Sequence, residues 1–226
     1  MVLRRKKQTN YPEKLIISYK NKEVLGASLF CLSHIFPYIF SMQSLSSFCH
    51  ELTEKLSSLQ HVALIAHRAP DGDAYGSLEG MKQLFKTNYP QLTVSIVIPP
   101  EKQVDSHASW ILSDSVPTIP ADAELVLFLD ASPLSRTALD PADFPTQPVI
   151  TIDHHEPQED SVPGYRDITA ASTTIIITDI ARELSWNITP EAATALLLGI
   201  YTDTGGFVHR NANQRAFETA GFLMSQ

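Results

Sequence analysis

Cysteine is scarce in this chain: Cys31 and Cys49 are the only two among 226 residues. They supply neither a disulfide framework nor the paired spacing of a structural zinc site, so a reducing, cytoplasmic setting is the default expectation. No Gly-x-Gly-x-x-Gly follows a strand, and no Gly-x-Ser-x-Gly elbow occurs. These absences set aside dinucleotide-dependent oxidoreductases and Ser/His/Asp hydrolases of the α/β type. Internal repeats and low-complexity tracts are missing as well. Positive charge is concentrated away from the main body. Seven Lys/Arg against Glu13 and Glu23 leave +5 on residues 1–41, so the net −8 places −13 on residues 42–226. A domain that acidic has no general basic surface for long nucleic acid. Acid gathered in one place and neutralised by metal cations is a different matter, and small anionic substrates stay open.

A long apolar run is also lacking. Val24–Phe40 is 17 residues without Asp, Glu, Lys or Arg, at the short limit for a membrane span, and His34 and Pro37 interrupt it. Residues 1–41 are expected to be a dispensable or misassigned N-terminal extension rather than an anchor, with membrane association through residues 24–40 left open. Residues 42–226 read as one domain, and the 43% apolar content of the chain is ordinary for a protein with a buried core.

Apolar residues at Leu45, Phe48, Leu52, Leu56 and Leu59 recur every three or four positions, which predicts an amphipathic helix over residues 44–59. His61–Ala66 is an apolar run too short for a helix and suits a buried strand. Helical spacing returns over Asp73–Lys86. Three more strands are expected at Leu92–Ile98, Glu124–Leu129 and Pro148–Ile152. Ala171–Leu184, Pro190–Tyr201 and Gln214–Met224 read as helices, despite the β-branched stretch Thr173–Thr178. Residues 99–122, with four prolines, form the expected loose surface connection. Strands alternating with helices imply an α/β fold with a largely parallel sheet flanked by helices, a Rossmann-like layering. Ligands in such sheets bind beyond the carboxyl ends of the strands, so chemistry should follow strands.

It does. After the first strand comes His67-Arg-Ala-Pro-Asp71-Gly-Asp73; the third ends at Asp130; the fourth runs into Asp153-His154-His155. A further acid, Asp203, closes a helical pattern. Each cluster alone has a plain structural explanation, as a turn or a helix cap. Four clusters of hard-ligand type are harder to explain that way. Carboxylates and imidazoles without thiolates suit manganese or magnesium. Several carboxylates brought together repel one another unless a cation intervenes, and five acids with two or three histidines can hold two ions. Two such ions acidify a bridging water and clamp the oxygens of an in-line displacement at phosphorus.

His67-x-x-x-Asp71-Gly-Asp73-Ala, Phe128-Leu-Asp130 followed by Arg136, Asp153-His-His155 and Thr202-Asp-Thr-Gly-Gly-Phe207 stand in the order of the four motifs of the DHH phosphoesterase superfamily, which this chain resembles over roughly residues 58–226. The first motif is similar to that of the bifunctional oligoribonuclease (nano-RNase) and pAp phosphatase branch. It differs from the openings of the RecJ exonucleases and the family II pyrophosphatases. The resemblance implies one divalent cation, Mn2+ or Mg2+, held by His67, Asp71 and Asp130. A second would be held by Asp73, Asp130, His154 and Asp203, with Asp130 shared. It further implies that Asp153 orients His154 and that His155 contacts the scissile phosphate or leaving oxygen. Arg136 is a candidate phosphate contact, with a surface ion pair as the alternative. The implied activity is hydrolysis of short oligonucleotides or 3′-phosphoadenosine 5′-phosphate through a metal-bridging water. A cyclic-dinucleotide phosphodiesterase of the same superfamily, or a metal-stabilised binding module, are the alternatives. A homodimer is left open.

Two features depart from the family pattern. Ala171-Ser-Thr-Thr174 is followed by Ile175-Ile176, where the family has a glutamate. The C-terminal substrate-binding domain of the family is expected to be absent from this chain.

Overall fold

The computed structural model describes residues 43–99, 109–131, 136, 137, 139, 145–158 and 160–226. The expected N-terminal extension, with its apolar run, lies outside the described residues, as do positions 100–108 of the expected surface connection. In chain order the elements are α1 (Leu45–Ser58), β1 (His61–Ile65), α2 (Gly72–Asn88), β2 (Thr93–Val97), a 3-10 turn (Ser109–Ile111), β3 (Leu125–Leu129), β4 (Val149–Asp153), β5 (Gly164–Arg166), α3 (Thr173–Glu183), α4 (Pro190–Asp203) and α5 (Gln214–Leu223). Helices begin where the sequence offers a side-chain oxygen for the orphan N–H groups of a first turn. Ser44, Asp71, Ser172, Thr189 and Asn213 are the five caps.

The strands form one sheet in the order β2-β1-β3-β4-β5, and every pair is parallel. The three-residue β5 is an edge that the hydropathy pattern does not reveal. Alternation along the strands sorts their side chains. Val62, Leu64, Leu125, Leu127 and Ile152 face a core completed by apolar residues of α1 to α5. Ala63, Ile65, Val97, Val126 and Phe128 face the other way, under Val116, Ile119 and Leu139. The described helices therefore all join one face, and Val116, Ile119 and Leu139 pack on the opposite one. Fully burying an aliphatic side chain is worth about 1.5–3 kcal/mol, so two faces of leucine, isoleucine and valine hold the strands in register. No helix of the described residues is long and apolar enough to cross a membrane.

Chain order and spatial order diverge at β1. Its successor β2 lies on one side and β3 on the other, which makes the carboxyl ends of β1 and β3 the switch point where parallel sheets open a crevice. His67 and Asp130 stand at those two ends. Across the crevice α2 packs closely on α4. Gly72, Gly76 and Gly80 recur every fourth residue on α2, and a Cβ at Gly76 would lie 2.5 Å from the Ala195 carbonyl oxygen. That close approach brings the first turn of α2 to the last turn of α4.

Candidate metal centre

His67 follows β1, and an isolated antiparallel bridge to Thr137 fixes its backbone. Its Nδ1 lies 2.9 Å from the Arg68 carbonyl oxygen. A carbonyl only accepts, so Nδ1 carries a hydrogen and Nε2 is the nitrogen free to take a metal. That Nε2 is buried without a well-aligned hydrogen-bond partner, although Asp130 Oδ2 stands 3.3 Å away and Asp71 Oδ1 3.6 Å away. A buried nitrogen with only carboxylate oxygens around it fits a cation seat. Asp71 Oδ1 also caps α2, accepting from the N–H groups of Asp73 and Ala74 at 3.1 Å each.

Asp130 is the first residue past β3, is 1% exposed, and takes a left-handed backbone (φ 58°). Its two oxygens look in different directions. Oδ2 faces His67; Oδ1 lies 3.5 Å from His154 Nε2 and 3.4 Å from His155 Nδ1. His154 Nε2 also lies 3.4 Å from Asp203 Oδ2 and 3.9 Å from Asp73 Oδ2. Three donor sets result, in each of which the offered atoms lie within 4.8 Å of one another: His67, Asp71 and Asp130; Asp73, His154 and Asp203; Asp130, His154 and His155. Residues spread over more than 130 positions of sequence thus meet at one crevice.

One expected role needs correction. The imidazole held by Asp153 is that of His155, not His154. Asp153 Oδ1 accepts from His155 Nδ1 at 2.8 Å and from the His155 backbone N–H at 3.2 Å. His154 Nδ1 instead faces the Ala170 carbonyl oxygen at 3.2 Å. The cause is a local turn at the end of β4, in which the aspartate side chain bonds the backbone two residues on, carrying the His155 ring back over its carboxylate. Arg136 stands close enough for its charge to oppose protonation of His155, and its carbonyl accepts from the Arg68 N–H at 2.7 Å. It borders the site.

The sequence pattern leaves out two further residues that touch the ligand set. Thr173 N donates to Asp73 Oδ2 at 2.6 Å, and Thr174 reaches Asp73 Oδ1 with its N–H (3.1 Å) and hydroxyl (2.9 Å). Thr173 Oγ1 donates to Asp130 Oδ1 at 3.0 Å. Their Ser/Thr-rich turn is visible in the sequence, but its partners lie about 100 positions earlier for Asp73. Ile175 and Ile176, where the family glutamate is missing, are fully buried in the core.

So much acid in one place shifts its own titration. Burial raises Asp73 well above the ordinary carboxylate range, and the charges of Asp130 and Asp203 add to this against the bonds from Thr173 and Thr174. Asp203 is pushed up to about 6, by burial first and by Asp130 and Asp71, with His154 opposing. Burial pulls His67 down, but the carboxylates of Asp130 and Asp71 outweigh it and push the imidazole up to about 10. Asp71 is lowered to about 2, because His67 and the two backbone N–H groups outweigh its burial. His155 is raised, chiefly by its bond to Asp153, with burial acting against it.

With His67, Asp73 and Asp203 all raised, a divalent cation taken up by this cluster would displace protons. At neutral pH, binding of a divalent cation is expected to release at least one proton, mainly from His67. Its pKa is raised, so the metal-free protein holds that proton through the neutral range, and apparent affinity climbs as pH rises from 6 to 9. The slope approaches about tenfold per pH unit for each proton displaced. Calorimetric titration in buffers of different ionisation enthalpy reads the number directly; a buffer-independent enthalpy would contradict this picture.

Fold and site together define a parallel α/β domain with a crevice lined by carboxylates and imidazoles at its switch point. Residues 61–200 match the DHH family, N-terminal domain, and the chain belongs to that family. It is 28% identical over 186 residues to the bifunctional oligoribonuclease and PAP phosphatase NrnA of Mycoplasma pneumoniae, a match covering 76% of this chain and 56% of that protein. With the protein of the same name from Bacillus subtilis it shares 29% identity over 181 residues, covering 77% and 56%. The chain thus spans about half the length of the curated relatives it matches. In fold it is similar to an exopolyphosphatase-related protein from Bacteroides fragilis, with a TM-score of 0.62 and 20% identity over 79% of this chain and 56% of that one.

Proposed function

We propose that this domain holds two divalent cations, Mn2+ in the first place, and that it hydrolyses phosphate esters in short oligonucleotides or 3′-phosphoadenosine 5′-phosphate. A single observation carries the reading: the two oxygens of buried Asp130 face two different donor sets. His67, Asp71 and Asp130 would hold one cation; Asp73, Asp130, His154 and Asp203 the other. Bound there, such a pair supplies positive charge against phosphoryl oxygens and an acidified water at neutral pH.

The remaining work falls to the chain's own groups. His155, one-third exposed and held at Nδ1 by Asp153, keeps its other nitrogen for substrate. Its bond to Asp153 favours a proton on the ring, and the free nitrogen would donate to a phosphate or leaving oxygen. Arg136 adds a cation at the same edge and would contact a phosphate by charge-assisted bonds. The relatives' names support the substrate class. A cytoplasmic setting belongs to this reading and rests on cysteine usage alone.

The test is hydrolysis of 3′-phosphoadenosine 5′-phosphate, of di- to pentanucleotides and of cyclic dinucleotides with Mn2+ present and after chelation. Metal-dependent turnover of the linear substrates or the bisphosphate is expected. Turnover of cyclic dinucleotides alone would move the chain to that phosphodiesterase class. A metal-loaded chain with no hydrolysis would make it a binding module.

A further inference from the structure

We propose that Thr173, Thr174 and Gly199 are positioning residues that clamp the Asp73 carboxylate in one orientation and tie it to Asp130. The inference rests on the two-cation reading above and concerns how this chain keeps one seat in shape.

Asp73 presents an unusual problem. It is 1% exposed, and its nearest charged neighbours include the carboxylates of Asp130 and Asp203. A short acidic side chain in that position would turn away from them unless neutral donors held it. The start of α3 supplies them. Ser172 caps that helix through its hydroxyl on Ile175 N, which leaves the N–H groups of Thr173 and Thr174, orphans of the first turn, pointing outward. Both go to Asp73, one to each oxygen, and the Thr174 hydroxyl adds a second bond to Oδ1. A carboxylate has about four acceptor directions. Three are filled, and the one remaining is on Oδ2, the oxygen that lies 3.9 Å from His154 Nε2. The clamp thus leaves open the direction a cation shared with His154 would use.

Gly199 matters for space. A Cβ there would stand 2.6 Å from Asp73 Oδ1 and 2.5 Å from Thr174 Cγ2, so any side chain would push the carboxylate or its donor aside. Thr173 plays a different part through its hydroxyl, which donates to Asp130 Oδ1. Asp130 faces both donor sets, so this contact bears on both seats, whereas Thr174 and Gly199 bear on one. That difference separates a clamp from a merely structural helix start. Thr178 is the control. It is buried on the same helix, and among the described residues its hydroxyl donates to the Thr174 carbonyl alone.

Calorimetric titration of the cation-free chain with Mn2+, alongside thermal unfolding, tests this. In Thr174→Val one of the two affinities is expected to fall about 10- to 100-fold, the usual size for loss of a group that orients a ligand, with the other unchanged. Gly199→Ala is expected to weaken the same seat. Thr173→Val is expected to weaken both, Thr174→Ser to restore wild-type binding, and Thr178→Val to leave both affinities alone even if it lowers the unfolding temperature. Should Thr174→Val not fold, Thr174→Ala carries the same test. Two cations bound by the wild type with unchanged affinities in Thr174→Val and Thr173→Val would overturn the clamp alone, as would an equal loss in Thr178→Val. A wild type that binds fewer than two would overturn the two-cation reading and the clamp with it.

Discussion

Asp130→Asn is expected to leave a folded protein that gains no stability from Mn2+ and no longer hydrolyses a phosphate ester. One side chain serves both donor sets, with Oδ2 toward His67 and Oδ1 toward His154, so its loss strips both seats at once. Asparagine suits the position better than alanine, because the backbone there is left-handed and asparagine tolerates that region. Fold damage is thereby separated from ligand loss. In the wild type, each independent site at a cation concentration 100 times its Kd adds about 2.7 kcal/mol. Two sites give on the order of 5 kcal/mol, a rise in Tm of roughly 10–20 °C for a domain of this size. Thermal unfolding with Mn2+ and with chelator should show that rise in the wild type and almost none in the variant. A variant that keeps the shift would show that Asp130 is not shared.

The second large effect is expected away from the charged groups. In Gly76→Ala the new Cβ would meet the Ala195 carbonyl oxygen at 2.5 Å and the Gly199 nitrogen at 3.0 Å. Both are backbone atoms on α4, so no side chain can swing aside and the two helices must part. Overpacking of this kind costs about 1–3 kcal/mol, against roughly 1 kcal/mol returned by alanine's helix propensity. The functional cost should be larger than that net figure implies. Asp71 caps α2 and Asp73 lies in its first turn, while Asp203 ends α4, so separating the helices spreads the donor sets and weakens cation binding as well. Gly221→Ala is the contrast. Nothing lies within 4 Å of a Cβ there, and at this exposed position of α5 alanine should add up to about 1 kcal/mol. Denaturant unfolding of the two variants compares them; equal stability would contradict the close α2–α4 approach.

Much of this architecture is legible in the sequence because burial imposes a period. The strand pattern of Val62, Leu64, Leu125 and Leu127 against Ala63, Ile65, Val126 and Phe128 follows from two covered faces, and the helices carry their caps in plain view. β5 escapes notice because Gly164–Arg166 has no apolar run: it pairs through its backbone with β4, and its residues are only partly buried. The convergence of His67, Asp130 and His154 is foreshadowed by their places after strands. Their partners are not. Asp153, His154 and His155 are adjacent in sequence, and nothing in that adjacency tells which imidazole the carboxylate takes; the turn after β4 decides it for His155. Thr173 and Thr174 read as the start of a helix, which they are. Their bonds to Asp73 and Asp130 come from tertiary packing of α3 against α2 and β4, which no local pattern records.

The most direct measurement is anomalous diffraction from crystals of the chain grown with Mn2+. Two scattering peaks are expected about 3.5–4 Å apart, one beside His67 and Asp71, the other beside His154 and Asp203, with the Asp130 carboxylate between them. A single peak, or a pair seated elsewhere with Asp130 bound to neither, would contradict the claim that this side chain joins two cation seats.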